Sequence, residues 1–151
     1  MMEAVMKKLF VLMLGAMLSL SMATASADKK PQSKNNPFAE HFVVFHLSAG
    51  SGFEQKLVLN NVSNLRKHWG DKVAIEVVTY GPGLRLLFKE NVQSKRIKSL
   101  AAEGVTFSAC GNTMKKMGRK KGDLISVANP VPAGVVRLVE LQEAGWSYIR
   151  P

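Results

Sequence analysis

The stretch HFVVFHL at 41–47 sets Val and Phe on consecutive positions with no polar alternation. A strand with one wet face alternates apolar and polar residues, so this run suits a strand covered on both faces, as in a parallel sheet. It stops at SAGSG, after which Phe53, Leu57, Val58, Val62, Leu65 and Trp69 recur at helical spacing up to Gly70. That is one β-α unit.

The pattern then repeats. KVAIEVVTY at 72–80 reads as a second strand, broken by GPG at 81–83, and helical turns begin at Leu84–Phe88 and run on through SKRIKSLAAEG. VTFSAC at 105–110 is the third strand, with a short helix over 112–118 behind it. DLISVAN at 123–129 reads as the fourth strand, VVRLVELQEAG as a last helix and WSYIR as a terminal strand. Strands alternating with helices imply an α/β fold, here a single domain with a mainly parallel sheet.

The amino-terminal 27 residues follow a different logic. Lys7 and Lys8 precede an apolar run from Leu9 to Leu20, which ends in Ala25-Ser26-Ala27. That order is expected of a secretory signal peptide. The competing reading, a membrane anchor, needs roughly 20 apolar residues, more than this run offers. Residues 28–40, DKKPQSKNNPFAE, read as a flexible leader, and the domain proper as 41–151. A periplasmic or secreted product is therefore expected, with no membrane attachment after cleavage. The chain carries a net charge of +10, and losing Lys7, Lys8 and Glu3 lowers this by only one. Such a charge favours anionic partners. Export makes nucleic acid the least suited of them, and none is expected.

Cys110 is the only cysteine, so the fold cannot rest on a disulfide within the chain. A lone thiol in an oxidising compartment is inert and buried, paired with another chain, or reactive. Its position bears on the choice. In open parallel sheets ligands gather outside the carboxyl ends of the strands, here the loops Ser48–Gly52, Gly81–Gly83, Gly111–Thr113 and Pro130–Gly134. Cys110 ends its strand on that edge. Asn112 is a good N-cap for the following helix, so the thiol precedes a helix N-terminus where anions are favoured. Lys115, Lys116, Arg119, Lys120 and Lys121 follow; they either add to that field or form a solvated loop. Both features favour the thiolate, the nucleophilic form.

Other candidates at this edge are His46, Gly81, Gly83, Thr113, Lys115 and Asn129, as residues lining a ligand site. His46 serves there as a base or hydrogen-bond partner, or else has a structural role, while His41 and His68 are expected at the surface. The glycine loops lack the Walker and dinucleotide patterns, metal-ligand spacing is missing, and no GxSxG elbow occurs. Neither a metal nor a cofactor is expected.

TYGPGLRLL, RIKSLAAEGVTFSACGNTM and the closing EAGWSYIRP together resemble the DsrE/DsrF-like sulfur-relay family over about 41–151. The resemblance implies a five-stranded α/β sheet with helices on both faces, assembled as a homo-oligomer, trimer or hexamer. It further implies a cysteine that accepts sulfane sulfur as a persulfide and passes it to an acceptor protein, a role only Cys110 can fill. The expectation is thus a sulfur-handling protein that takes sulfur from a small anion. The alternative is a non-enzymatic oligomeric module that binds a small ligand or partner protein, with the thiol merely lining its pocket. Val135, Val136, Leu138, Val139 and Leu141 are too many apolar residues for one narrow helix stripe, consistent with either a subunit contact or simple burial.

Overall fold

A computed structural model of the chain describes residues 31–33 and 35–151. The secretory segment expected over 1–27 and the start of the leader lie outside these residues. Five strands, β1 (His41–Leu47), β2 (Val73–Thr79), β3 (Thr106–Cys110), β4 (Ala128–Val131) and β5 (Ser147–Ile149), form one sheet in the order β4-β3-β2-β1-β5. Every pairing is parallel. β2 is buried at all seven positions, as a strand between two others and between two layers must be.

Four helices join them: α1 (Gly52–Trp69), α2 (Ser94–Ala102), α3 (Gly111–Lys116) and α4 (Gly134–Glu143). α1 starts where a capping box fixes it. The Ser51 hydroxyl accepts from the Glu54 N–H at 3.2 Å while the Glu54 carboxylate accepts from the Ser51 N–H at 3.3 Å, a reciprocal arrangement that satisfies two otherwise orphaned donors.

Handedness assigns the layers. The chain steps from β1 to β4 in one direction across the sheet and then returns past β1 to lay β5 on the far edge. Right-handed crossovers therefore put α1, α2 and α3 on one face and α4 on the other. The core divides accordingly. Val43, Phe45, Val77 and Phe107 meet Val58, Leu59, Ile97 and Met114 on the first face, while Phe42, Val44, Ala74 and Val78 meet Leu138, Leu141 and Trp146 on the second.

Three expectations about elements are corrected. The fourth strand is Ala128–Val131, not 123–129. Leu124 and Ile125 are buried from a loop, through a bridge between Leu124 and Phe88, so their apolar character reflects core filling and not a strand. Pro130 sits inside β4 because β4 is an edge, where a missing N–H costs no ladder bond. The helical run after Leu84 is two pieces, a 3-10 helix at Gly81–Leu87 and then α2. Asn91 marks the break by accepting from the Gln93 N–H at 2.8 Å. Finally α3 begins at Gly111, so Cys110 holds the N-cap position and Asn112 lies inside the helix without capping it.

At the amino-terminal ends of the strands the end of the leader is tied down. The Asn36 side chain donates to the carbonyls of Asp71 at 2.7 Å and Val73 at 3.1 Å, and Ala39 is buried. Among the described residues no helix is long and apolar enough to cross a membrane.

Candidate functional site

β3 and β4 are neighbours whose exits part company: the chain leaves β3 into α3 on the first face and leaves β4 towards α4 on the second. Adjacent strands with diverging exits open a crevice at their carboxyl ends, the usual place for a ligand in such sheets. Cys110 stands in it, 5% exposed.

The sulfur is surrounded by donors. Burial pushes its pKa up, but hydrogen bonds from the Thr113 hydroxyl and from the N–H groups of Gly134, Thr113 and Asn112 outweigh burial and hold the thiol below its ordinary value. Hydrogen bonds to the charged form favour ionisation. Thr113 is oriented for this by Gly81, whose N–H donates to the Thr113 hydroxyl oxygen at 3.0 Å and leaves the hydroxyl proton free for sulfur. Gly81 adopts φ +52°, a conformation suited to glycine. Gly134 is required for a different reason. A Cβ there would lie 3.2 Å from the Cys110 Cβ and 3.1 Å from the Tyr80 ring, so any other residue would push these neighbours apart by a few tenths of an ångström and draw the N–H from the sulfur.

Of the two features the sequence context suggests, the helix N-terminus contributes through the N–H groups of Asn112 and Thr113, and the lysines do not. Lys115 and Lys116 are exposed and are not among the causes of the shift. Arg119 is engaged elsewhere, bonded to Glu90 at 2.8 Å with its guanidinium 4.4 Å from the centre of the Phe88 ring. Asn112 contributes its backbone N–H, which also donates to the Pro132 carbonyl at 3.2 Å and so ties the two diverging exits together.

His46 lies on the same face as the thiol, 4% exposed. Its ring stacks on Tyr80 with centroids 4.6 Å apart, and its Nδ1 is 2.6 Å from the Tyr148 hydroxyl. Nε2 is buried with no partner. Burial and then the charge of Arg150 hold the ring's pKa below the ordinary histidine value, favouring neutral imidazole. Tyr80 bridges the two parts of the edge, touching the Gly134 position on one side and His46 on the other.

Of the candidates, Cys110, Gly81, Thr113 and Asn112 come together, and His46 joins them through Tyr80. Gly83 packs against the Leu47 carbonyl and shapes the turn instead of the crevice. Asn129 lies further down β4, opposite Ser108, in a cavity of about 320 Å³ shared with Glu76, Val136 and Arg137. His41, expected at the surface, is half-buried and stacks on Trp69 at 4.2 Å. Tyr80, Gly134, Tyr148, Arg150 and Ser48 were not singled out from the sequence. Only Ser48 and Gly134, at the ends of loops already assigned to this edge, carried a signal.

No group of three or more His, Cys, Asp or Glu able to hold a metal occurs among the described residues.

Comparison with known proteins gives a consistent picture. A model of the DsrE/DsrF-like family matches residues 13–151. A solved protein of unknown function, MTH1491 from Methanobacterium thermoautotrophicum, is 36% identical, with a TM-score of 0.72 over 74% of this chain and 100% of its own. The ychN protein of E. coli shares the fold at 12% identity, with a TM-score of 0.63 over 74% of this chain and 99% of its own. No curated protein matches the chain. With the family model spanning most of its length, this chain belongs to the DsrE/DsrF-like family.

Proposed function

We propose that this is a sulfur-handling protein in which Cys110 accepts sulfane sulfur from a small anionic donor and relays it to an acceptor protein. The observation that carries the reading is the donor set around the sulfur, which outweighs burial and favours the thiolate. A thiolate attacks the outer sulfur of the donor; the donor's S–S bond breaks, its electron pair leaves with the departing group, and Cys110 holds a persulfide. With thiosulfate the leaving group is sulfite, and no outside oxidant is needed. Exposed Lys115 and Lys116 and the excess positive charge draw anions towards this edge.

The setting proposed is the periplasm or the exterior, after removal of 1–27, with the protein acting as a homo-oligomer. The apolar residues Val135, Val136 and Val139 of α4 are 58, 53 and 47% exposed, which supports a subunit contact on that face.

Mass spectrometry of the mature protein after incubation with thiosulfate or polysulfide tests the reaction. One added sulfur on wild type and none on Cys110→Ser is expected; no adduct on either removes the relay reading. A binding module is the second reading, favoured by the cavity beside Asn129 and Arg137, whose lining does not include the thiol. It requires that Cys110→Ser retain partner binding in full.

A further inference from the structure

The carboxyl edge continues beyond the crevice to a second group of polar side chains. The Arg150 guanidinium donates to the Ser48 hydroxyl at 3.3 Å. Among the described residues it has no carboxylate within ion-pair distance, whereas Arg66, Arg119 and Arg137 each have one. Beside it His46 is more than nine-tenths buried and keeps Nε2 without a partner. An orphaned buried polar atom normally costs stability, and here it stands next to an unneutralised cation on the face that carries the thiol. The aromatic rings of Tyr80 and Tyr148 flank the histidine.

The sheet register gives the spacing. Leu47 is paired with Thr79 and Thr79 with Ala109, so the next residues, Ser48, Tyr80 and Cys110, fall in one row. With neighbouring strands just under 5 Å apart, Ser48 and Cys110 are about 10 Å from each other. Thiosulfate is far too short to touch both ends of such a row.

We propose that Arg150 and Ser48, with His46 beside them, form a carboxylate subsite, and that the donor is a small organic persulfide whose carboxylate lies about 10 Å from its terminal sulfur. The proposal rests on the sulfur-transfer reading and names its substrate class. The Cys110 thiolate attacks the outer sulfur of the R–S–S–H group. The S–S bond of the donor breaks, the new bond joins Cys110 to the transferred sulfur with its proton, and the thiolate R–S⁻ leaves and takes a proton from water. Sulfur changes carrier with no net oxidation. The carboxylate is held at Arg150 while the Tyr80 ring floors the span between the two ends.

The test compares two donors on wild type, Arg150→Gln and Ser48→Ala, with glutathione persulfide as the carboxylate-bearing probe and inorganic polysulfide as the short one. Loading of Cys110 is followed by mass spectrometry. Arg150→Gln is expected to raise the glutathione persulfide concentration for half-loading by about tenfold and to leave polysulfide loading unchanged. An equal effect on both donors, or none, overturns the subsite. If neither donor loads wild type, the relay reading has failed on its own. Calorimetric titration of S-methylglutathione, which transfers no sulfur, into Cys110→Ser and Cys110→Ser/Arg150→Gln then decides the subsite alone. Binding lost with Arg150 supports it, and binding to neither or equally to both refutes it. The His46 ring resonance gives a further readout. A carboxylate at Arg150 offsets the charge that now disfavours imidazolium, so ligand should move the histidine titration upward; no movement at saturating ligand counts against the assignment.

Discussion

At Cys110 the competition is between burial, which disfavours a charged sulfur, and four hydrogen bonds that favour it. The hydrogen bonds win, so alkylation of the folded protein should follow a pH curve with its midpoint below the ordinary thiol value of about 8.5. Thr113→Val removes the hydroxyl and should move that midpoint up, whereas Thr113→Ser should leave it nearly in place. The linkage has a definite sign. A thiol with a depressed folded pKa adds stability above its unfolded pKa, and that contribution disappears as pH falls through the folded pKa. Gly134→Ala should both raise the midpoint and destabilise by about 1–3 kcal/mol, since its methyl group meets Tyr80 and Cys110 at 3.1–3.2 Å. His46 gives a second pH signature. Its folded pKa is lowered by burial and by Arg150, so stability should be lost as pH falls from about 6.5, where unfolded histidine begins to charge. In His46→Gln that part of the acid limb should be flat in a denaturant titration repeated across pH.

Between elements, the strongest fastening on the α4 side is polar. Glu76 of β2 is 2% exposed and accepts from Arg137 Nε at 2.8 Å, Arg137 Nη2 at 2.7 Å and the Ser108 hydroxyl at 2.6 Å. Arg137→Met leaves that carboxylate buried with one hydroxyl and should cost about 3 kcal/mol by chemical denaturation, more than the paired Glu76→Leu/Arg137→Met change. Glu76 was read only as part of the second strand, and its partner, 61 residues away on a helix, has no local signal. The same contrast runs through the elements. The unbroken apolar runs of β1 and β2 and the spacing of α1 could be read directly because each depends on local periodicity. The Ser51–Glu54 capping box was equally local, a serine three residues before a glutamate. β4 was displaced because Leu124 and Ile125 serve a distant core from a loop, and a pattern of apolar residues does not distinguish that use from a strand. Cys110 was recognisable as a strand-end thiol, but its activating donors belong to two segments, the start of α3 and Gly134 of α4, and only the first is adjacent in sequence. Tyr80 and Arg150 acquire meaning only through neighbours brought by the sheet.

For the whole molecule, the decisive asymmetry is that three helices cover one face, while a single helix, α4, with the end of the leader covers the other. One helix cannot span five strands, and what it leaves is the cavity beside Glu76 and Asn129 together with the exposed valines of its outer side. On the proposed homo-oligomer, Val136→Asp should therefore shift the protein towards monomer in sedimentation velocity without lowering its unfolding midpoint by more than a few degrees. An unchanged association state would assign that face to a different partner. The sheet order follows from topology and handedness more than from any residue, which is why the sequence could announce five strands without saying which pair of exits diverges. That divergence gives the thiol an unusual dependence. Its donors arrive from α3 on one layer and from the first residue of α4 on the other, joined beyond the end of the β3–β4 ladder by the Asn112–Pro132 hydrogen bond. The sulfur is therefore a gauge of how closely the two layers are seated. If the proposed subunit contact on α4 tightens or lifts that helix, the movement is expected to register in the acidity of one atom, where the alkylation rate of Cys110 would read it from inside the fold.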